Sequence, residues 1–167
     1  TCQIHQVGQE AYSFYVYEQV YGPDGNPLEG VFVDRNGDGQ INSDDKYLYH
    51  SRSPKVTLNW SNTFNWRNWD FGIVLRSSIG NWVFNDTQVG KVNKNNTASL
   101  PLSNLLNDSF LFNNMTNEQI LSDYFVQNAS FLRCDNITLG YTWSNLLKNS
   151  LRLRLYGAVQ NPFVITK

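Results

Sequence analysis

Polar and apolar residues alternate most regularly between Pro54 and Trp66. The apolar positions are Val56, Leu58, Trp60, Phe64 and Trp66, and the polar positions are Lys55, Thr57, Asn59, Ser61, Thr63 and Asn65. Asn62 is the only break. A period of two is typical of a strand with one apolar face. After Arg67-Asn68 the apolar positions continue with Trp69, Phe71, Ile73, Leu75 and Ile79. The pattern predicts a hairpin with a two-residue turn.

A second alternating pair lies near the end of the chain. Its first apolar set is Ile137, Leu139, Tyr141 and Trp143, and its second is Leu151, Leu153, Leu155 and Val159. Arg152, Arg154, Tyr156 and Gln160 occupy the opposite face of the second strand. Residues 144–149 are predicted to form the short connection. A further strand is predicted over residues 11–17, where aromatic residues blur the alternation.

Two long polar segments separate these strands, at about residues 19–53 and 81–130. The second contains a predicted helix over residues 117–125, which Thr116 or Asn117 could cap. Long connections therefore alternate with tight ones, as in outer-membrane barrels with short periplasmic turns and long external loops. Trp66, Trp69, Tyr141 and Trp143 would lie together near the tight turns as an interfacial aromatic girdle. A soluble β-sandwich has similar alternation and remains an alternative.

The segment from Asp34 to Asp45, D-R-N-G-D-G-Q-I-N-S-D-D, has the spacing of a calcium-binding loop. Calcium takes roughly 6–8 oxygen ligands, which such loops supply from alternating positions. We expect side-chain oxygens from Asp34, Asn36, Asp38, Asn42 and Asp45, with the backbone carbonyl of Gln40. Gly39 stands where the loop needs a sharp turn.

This loop departs from an EF-hand in two ways. Asp45 replaces the usual bidentate Glu, as in the dockerin-type variant, and the flanking residues favour strands rather than helices. The flanks are Val31, Phe32 and Val33 before the loop and Tyr47, Leu48 and Tyr49 after it. The alternative is a metal-free turn rich in Gly, Asn and Asp between two strands.

Composition narrows the class of protein. Of the 167 residues, 14% are aromatic and 16% are charged, against ~25% charged in typical soluble domains. Few helix formers are present, so the prediction is an all-β fold. The net charge is −1 without a basic stripe, which argues against nucleic acid as a partner. Cys2 and Cys134 could be isolated thiols or one long-range disulfide.

Five sequence landmarks together resemble the C-terminal part of SusC/RagA-type TonB-linked outer-membrane proteins of Bacteroidetes. They are Val7-Gly8 with Ser13-Phe14-Tyr15, Gly30 with the D-R-N-G-D-G-Q-I-N loop, Phe131-Leu132-Arg133, Ile137-Thr138-Leu139-Gly140-Tyr141, and Gln160-Asn161-Pro162-Phe163. The resemblance implies an antiparallel meander of transmembrane strands from a ~22-stranded barrel with an N-terminal plug. The plug, the TonB box and most strands are absent, so the chain is expected to be a fragment whose edges pair with the rest of the barrel.

The resemblance also implies a function. It implies import of glycans or peptides across the outer membrane, powered through TonB and assisted by a SusD-like surface lipoprotein, with lipid and lipopolysaccharide around the barrel. No nucleophile, HExxH or phosphate-loop motif is present, and the pair Asp44-Asp45 fits solvation or metal ligation better than glycoside hydrolysis, so no enzyme is predicted. The alternative function is a soluble, calcium-stabilised carbohydrate-binding sandwich. Residues 81–130 are predicted to touch the lipoprotein or the substrate.

Overall fold

The computed structural model describes residues 2–93, 104–146 and 151–166. Its strands are β1 Gln3–Ile4, β2 Ser13–Val16, β3 Gln19–Tyr21, β4 Pro27–Phe32, β5 Tyr47–Ser51, β6 Val56–Trp66, β7 Trp69–Ile79, β8 Trp82–Phe84, β9 Val126–Asn128, β10 Phe131–Leu146 and β11 Leu151–Thr166. The helices are α1 Asp86–Val92 and α2 Asn117–Ile120, with 3-10 turns at Ser43–Asp45, Asn107–Phe110 and Asp123–Phe125. Within these ranges, no helix is both long and apolar enough to cross a membrane.

The chain divides into two compact units. One consists of Thr1–Ser53 and Asn81–Asn128, and the other of Pro54–Gly80 and Ala129–Lys167. The second unit contains both predicted hairpins, and the first contains the two segments that were predicted as long loops.

The second unit is one antiparallel sheet with the strand order β11-β10-β7-β6. Residues directly opposite each other share a face. One face is almost wholly apolar, with Val56, Leu58, Trp60, Phe64 and Trp66 of β6, Trp69, Phe71, Ile73, Leu75 and Ile79 of β7, Leu132, Cys134, Ile137, Leu139, Tyr141 and Trp143 of β10, and Leu153, Leu155, Val159, Phe163 and Ile165 of β11. We call it the apolar face. Most of its side chains are exposed, with Trp60 48% and Leu155 68% accessible, whereas the face of a β-sandwich would be covered by a second sheet.

The opposite face of this sheet is mostly polar. Asp70 of β7 reaches past Gly140 of β10 to Arg154 of β11, whose Nε lies 3.1 Å from Oδ1 and whose Nη2 lies 2.6 Å from Oδ2. A Cβ at Gly140 would lie only 2.6 Å from the Asp70 oxygens, so glycine leaves the space for this pair. A barrel wall with lipid outside and a polar lumen inside requires one apolar face and one polar face.

The aromatic girdle forms as predicted, at the end of the sheet that carries the two-residue turn. Trp66 pairs with Trp69, and Trp69 pairs with Tyr141. The ring centroids of Trp69 and Tyr141 are 4.7 Å apart, and those of Tyr141 and Trp143 are 4.6 Å apart. In the turn, Arg67 has a φ of 54° and the Asn68 carbonyl accepts a hydrogen bond from the Thr142 N–H at 2.8 Å.

Several predicted boundaries were wrong. β10 continues through Ser144 to Leu146, and the rest of the predicted connection, residues 147–149, lies outside the described residues. β2 covers only Ser13–Val16, because Tyr12 has a φ of 60°, which is incompatible with a strand. The predicted helix over residues 117–125 is α2 followed by a separate 3-10 turn. Thr116 caps α2 as predicted, accepting a hydrogen bond from the Gln119 N–H.

The first unit has its own small cores, although residues 19–53 and 81–130 within it were predicted as long polar loops. One core joins Phe14, Val16 and Val126, and the other joins Val89, Val92, Phe112 and Phe125. β8 pairs with β9, so the two ends of residues 81–130 are held together. Both cysteines are free thiols, with Cys134 buried and Cys2 half-buried, which confirms the first of the two alternatives.

Candidate functional site

The candidate metal loop, residues 34–45, connects β4 to β5. Arg35 fixes its start: the guanidinium forms an ion pair with Glu18 and lies 4.7 Å from the centre of the Tyr47 ring. The Val33 N–H donates to the Glu18 carbonyl at 3.0 Å. The loop therefore begins from a fixed position between two strands, as predicted from its β-forming flanks.

Asp34 organises the first half of the loop. Its Oδ1 accepts a hydrogen bond from the Gly37 N–H at 2.6 Å, and its Oδ2 accepts one from the Gly39 N–H at 2.8 Å. Gly37 and Gly39 have φ values of 74° and 78°, which side-chain-bearing residues rarely adopt. The sharp turn predicted at Gly39 is present, and a second one occurs at Gly37.

Asn36, Asp38 and Asn42 also direct their oxygens to the loop backbone. Asn36 Oδ1 accepts from the Asp38 N–H at 2.9 Å, and Asp38 Oδ1 accepts from the Gln40 N–H at 2.7 Å. The Asn36 and Asn42 side-chain amides donate to Asp38 Oδ2 at 3.1 Å and 3.4 Å. The four side chains Asp34, Asn36, Asp38 and Asn42 thus line one short loop, as the spacing predicted.

Asp45 closes the loop as the buried partner of a capping box. Its Oδ2 accepts from the Asn42 N–H at 2.8 Å, and its Oδ1 accepts from the Arg35 N–H at 3.0 Å and the Asn36 N–H at 3.4 Å. Asn42 Oδ1 in turn accepts from the Asp44 N–H at 2.8 Å. The backbone donors, chiefly that of Asn42, lower the pKa of the Asp45 carboxyl below its ordinary value.

The donor set fits a cation in part. Each carboxylate oxygen can accept more than one contact, so the hydrogen bonds to Asp34 and Asp38 leave room for a metal. Asp45, the expected bidentate ligand, already uses both oxygens for backbone N–H groups. Among the described residues, no group of three or more His, Cys, Asp or Glu side chains is arranged to hold a metal ion. Calcium would need the amide oxygens of Asn36 and Asn42 and the Gln40 carbonyl as well.

Asp44 and Asp45 do not form a common acid/base pair. Asp44 is exposed, whereas Asp45 is fully buried among backbone donors. A glycosidase needs two carboxyl groups that flank one substrate bond. The environments of Asp44 and Asp45 therefore do not match that arrangement.

A buried polar network that the sequence did not predict joins the two long segments. Asp123 Oδ2 accepts a hydrogen bond from the Tyr47 hydroxyl at 2.8 Å, and Oδ1 accepts from the Gln19 N–H at 3.1 Å. Burial raises the pKa of the Asp123 carboxyl, and burial and the bond to Asp123 raise the pKa of Tyr47. These partners are 76 and 104 positions apart in sequence, so no local signal could have revealed them.

A glutamine pair extends this network. The Gln119 Nε2 donates to Gln19 Oε1 at 2.6 Å, and Gln119 Oε1 accepts from the Gly30 N–H at 2.9 Å. Gln19 Nε2 donates to the carbonyls of Leu28 and Val31. Both glutamines are buried, so the segments 19–53 and 81–130 are joined by satisfied hydrogen bonds rather than by loose surface contacts.

Comparison with known proteins identifies the family. No protein-family profile matches the chain. The TonB-dependent receptor SusC of Bacteroides thetaiotaomicron is 42% identical over 172 residues, covering 99% of this chain and 17% of SusC. The TonB-dependent receptor P3 of Formosa agariphila is 26% identical, covering 98% of this chain and 18% of that receptor. The chain therefore spans less than a fifth of the length of these curated relatives.

Two solved structures share the fold. The RagAB peptide transporter superposes with a TM-score of 0.63 at 22% identity, covering 93% of this chain and 19% of that one. The RagAB peptide importer in the closed-closed state gives a TM-score of 0.62 at 20% identity, covering 100% of this chain and 22% of that one. The relatives are receptors and transporters, in agreement with the prediction that the chain is not an enzyme. Because a relative 42% identical aligns with 99% of its length, the chain belongs to the SusC/RagA family of TonB-dependent receptors, as a segment of a larger outer-membrane protein.

Proposed function

We propose that the protein containing this segment is a TonB-dependent importer of the outer membrane. The identity of 42% to SusC across nearly the whole segment carries this proposal. The sheet supports this proposal, because one of its faces is apolar and exposed and the other is polar. Strands of a barrel wall have lipid on one face and the lumen on the other, so they need these two faces. Within such an importer, the four strands would contribute to the barrel wall and the first unit would lie outside the membrane.

The proposed cargo is a glycan or a peptide. SusC is a TonB-dependent receptor without a stated substrate, and the RagAB peptide transporter, at 22% identity, shares only the fold with this chain. The test is growth of a strain that lacks the full-length gene on a panel of oligosaccharides and peptides, each as the sole source of carbon or nitrogen. Loss of growth on one class, restored by the intact gene, is expected. Unchanged growth and uptake on every member would contradict import of either class.

We further propose that the importer works with a SusD-like lipoprotein and with TonB. Affinity purification of the tagged full-length protein from outer membranes is expected to recover a surface lipoprotein in a fixed ratio. Uptake is expected to stop when TonB is deleted. Purification without a lipoprotein, or uptake that persists without TonB, would refute the corresponding partner.

Residues 81–130 are proposed to contact the lipoprotein or the cargo outside the cell. The Asn85 N–H donates to the Phe125 carbonyl at 2.8 Å, so residues 86–124 can be replaced by a short Gly-Ser linker without separating their ends. The replacement is expected to lower both uptake and recovery of the lipoprotein. A variant that keeps both at the wild-type level while reaching the membrane in normal amounts would show that the segment has neither role.

Calcium is proposed as a structural ion of the loop at residues 34–45. Asp34, Asn36, Asp38 and Asn42 would supply side-chain oxygens, with the Gln40 carbonyl and Asp45 completing the set. Calorimetric titration of the chelator-treated full-length protein with Ca²⁺ is expected to show binding that Asp38→Ala removes. Asp24→Ala, in a separate exposed turn, is the matched control. Absence of heat with the wild-type protein would leave only a hydrogen-bonded turn.

A further inference from the structure

Two arginines lie directly opposite each other on the face of the four-stranded sheet that is opposite the apolar face, and that we call the polar face. Arg76 of β7 pairs with Arg133 of β10, and residues opposite each other in an antiparallel pair share a face. Like charges at such positions repel each other, which destabilises a sheet. The side chains of Arg76 and Arg133 are 48% and 39% exposed, so a molecule beside the sheet can reach both.

Asp135 compensates only part of this charge. It occupies the bulge of β10 between Cys134 and Asn136, and bulges re-aim the side chains that they carry. Arg76 Nη2 donates to Asp135 Oδ1 at 3.2 Å, whereas Arg133 Nε is 4.0 Å from the same oxygen, which is too far for a hydrogen bond. One carboxylate therefore faces two guanidinium groups in the described part of the sheet, and one positive charge is left over.

Among the described residues, two buried side-chain atoms beside this cluster have no hydrogen-bond partner. They are the Nε of Arg133, which is a donor, and the Oδ1 of Asn136, which is an acceptor. Asn136 is the next residue of β10 on the polar face, since Cys134 lies on the apolar face and Asp135 in the bulge. Almost all buried polar atoms of folded proteins have a partner, so an unpaired donor and acceptor at neighbouring positions indicate a binding role.

The polar face as a whole is basic. Within the described strands of this sheet, the charged residues are four arginines and two aspartates. Asp70 is fully used by Arg154, which donates two hydrogen bonds to its carboxylate. The excess of positive charge attracts anions to this face.

We propose that Arg76, Arg133 and Asn136 form a binding site for a carboxylate group of the imported cargo. This rests on the proposed function, which places the polar face on the lumen side of the barrel wall. The planar guanidinium group of arginine matches the two oxygens of a carboxylate. The single uncompensated charge suits a carboxylate better than a phosphate group, which carries about −1.5 to −2 at pH 7.

Asn136 adds a second requirement for the ligand. Its buried oxygen accepts hydrogen bonds, so the ligand needs a donor close to its carboxylate. An acidic peptide offers backbone N–H groups there, and a uronic acid offers ring hydroxyls. Both kinds of cargo lie within the proposed function, and a carboxylate with an adjacent donor is the chemistry that they share.

Binding of simple carboxylates tests the site in the purified full-length protein. The probes are N-acetylglycine and galacturonic acid, with N-acetylglycinamide and galactose as their uncharged counterparts, and binding is followed by ligand-observed NMR titration. We expect acids to bind and their uncharged counterparts not to bind, and the acid that binds more tightly shows which kind of cargo the site prefers. Arg76→Gln and Arg133→Gln are each expected to weaken binding of the acid by about tenfold or more.

Two further variants separate binding from general effects. Arg152→Gln is the matched control, because Arg152 lies on the same face of β11 as Arg154 and its replacement removes the same charge at a different position. It is expected to bind the acid as wild type does. Asn136→Leu removes a buried oxygen that has no partner, so it is expected to weaken binding without lowering the unfolding temperature.

Three results would overturn the proposal. The first is equal binding of an acid and its uncharged counterpart, and the second is an equal loss of binding in Arg152→Gln. The third is binding of neither acid to the wild-type protein. If Arg76→Gln and Arg133→Gln then also lower the unfolding temperature, both arginines pair with a carboxylate elsewhere in the protein instead.

Import is measured in parallel with acidic peptides and uronate oligosaccharides, each given intact or with its carboxylates blocked as amides or methyl esters. We expect wild type to import the intact cargo faster, and Arg133→Gln to lose this preference. Equal import of intact and blocked cargo by wild type would refute the carboxylate site and leave the proposed function standing. Absence of all import would refute the proposed function, while the NMR titration still reports on the site, so the two failures are distinguishable.

Discussion

At the scale of single residues, the loop at residues 34–45 shows what a sequence pattern can and cannot specify. The spacing identified which side chains carry oxygens into the loop, and Gly39 was correctly placed at a sharp turn. Asp45 was expected to ligate a metal, yet its oxygens accept three backbone N–H groups. A sequence gives the type of each donor and acceptor, whereas the choice of partner depends on the folded backbone.

Asp45 gives a pH-dependent prediction. Its pKa is lowered from 3.8 in the folded protein by the backbone donors, so its contribution to stability is complete above pH 3.8 and is lost as the pH falls through the lower folded value. Asp45→Asn, which places an amide nitrogen against backbone N–H groups, is expected to speed hydrogen exchange at Arg35 and Asn42 at pH 7. The difference from wild type should shrink below pH 3.8.

Hydrogen-exchange mass spectrometry of the chelator-treated full-length protein measures this effect. Asp44→Asn is the matched control, because Asp44 is the exposed neighbour and is expected to leave exchange unchanged. An Asp45→Asn effect that is as large at pH 3 as at pH 7 would rule out the carboxylate as its source.

Gln119 gives a second prediction at this scale. Gln119→Leu would leave Gln19 Oε1 buried without this partner, which costs about 1–3 kcal/mol, and would remove the acceptor of the Gly30 N–H. Faster hydrogen exchange of β3 and β4 is expected, measured by mass spectrometry on the full-length protein. The exposed Gln40→Ala is the control. Unchanged exchange in β3 and β4 would show that the buried pair does not hold the two segments together.

At the scale of elements, the period of two was sufficient to place β6, β7, β10 and β11 and to assign their faces. It was insufficient where the backbone departs from regular geometry. A bulge between Cys134 and Asn136 shifts the register of β10, and Asn161 on β11 has a φ of 50°. Residues 19–53 and 81–130 were predicted as loops because their strands are short, and contacts between distant segments stabilise those strands.

The assignment of faces can be tested at two adjacent residues of β7. Ile73 lies on the apolar face and Val74 on the opposite one. Ile73→Arg is expected to reduce the amount of folded protein in the outer membrane, since arginine facing the lipid midplane costs ~2–4 kcal/mol. Val74→Arg, facing the polar side, is expected to be tolerated. The readout is the folded fraction in isolated outer membranes, judged by heat-modifiable gel mobility, and equal loss in both variants would argue against the assigned faces.

At the scale of the whole molecule, five landmarks in order pointed to the family that the comparison with SusC established. The cargo could not be predicted from the sequence, because a segment covering 17% of the length of SusC holds only part of any translocation path. Orientation is accessible by experiment. The proposal places the Arg67-Asn68 turn in the periplasm and the first unit outside the cell.

Single cysteines test that orientation in the full-length protein. Phe110, which is 82% exposed in the first unit, and Arg67 in the tight turn are each replaced by cysteine in a cysteine-free background. Phe110→Cys is expected to react with a membrane-impermeant maleimide in intact cells. Arg67→Cys is expected to react only after the outer membrane is permeabilised. The reverse pattern would invert the proposed topology.

The hydrogen bonds that join Gln119 with Gln19 and with the Gly30 N–H have a consequence for protein engineering. Residues 19–53, which precede β6, and the described part of residues 81–128, which connect β7 to β10, belong to the same compact unit and are joined by these bonds. A chimera that takes only one of these segments from another transporter would pair side chains that never met in either parent. Recombination, natural or designed, should therefore exchange the two segments together.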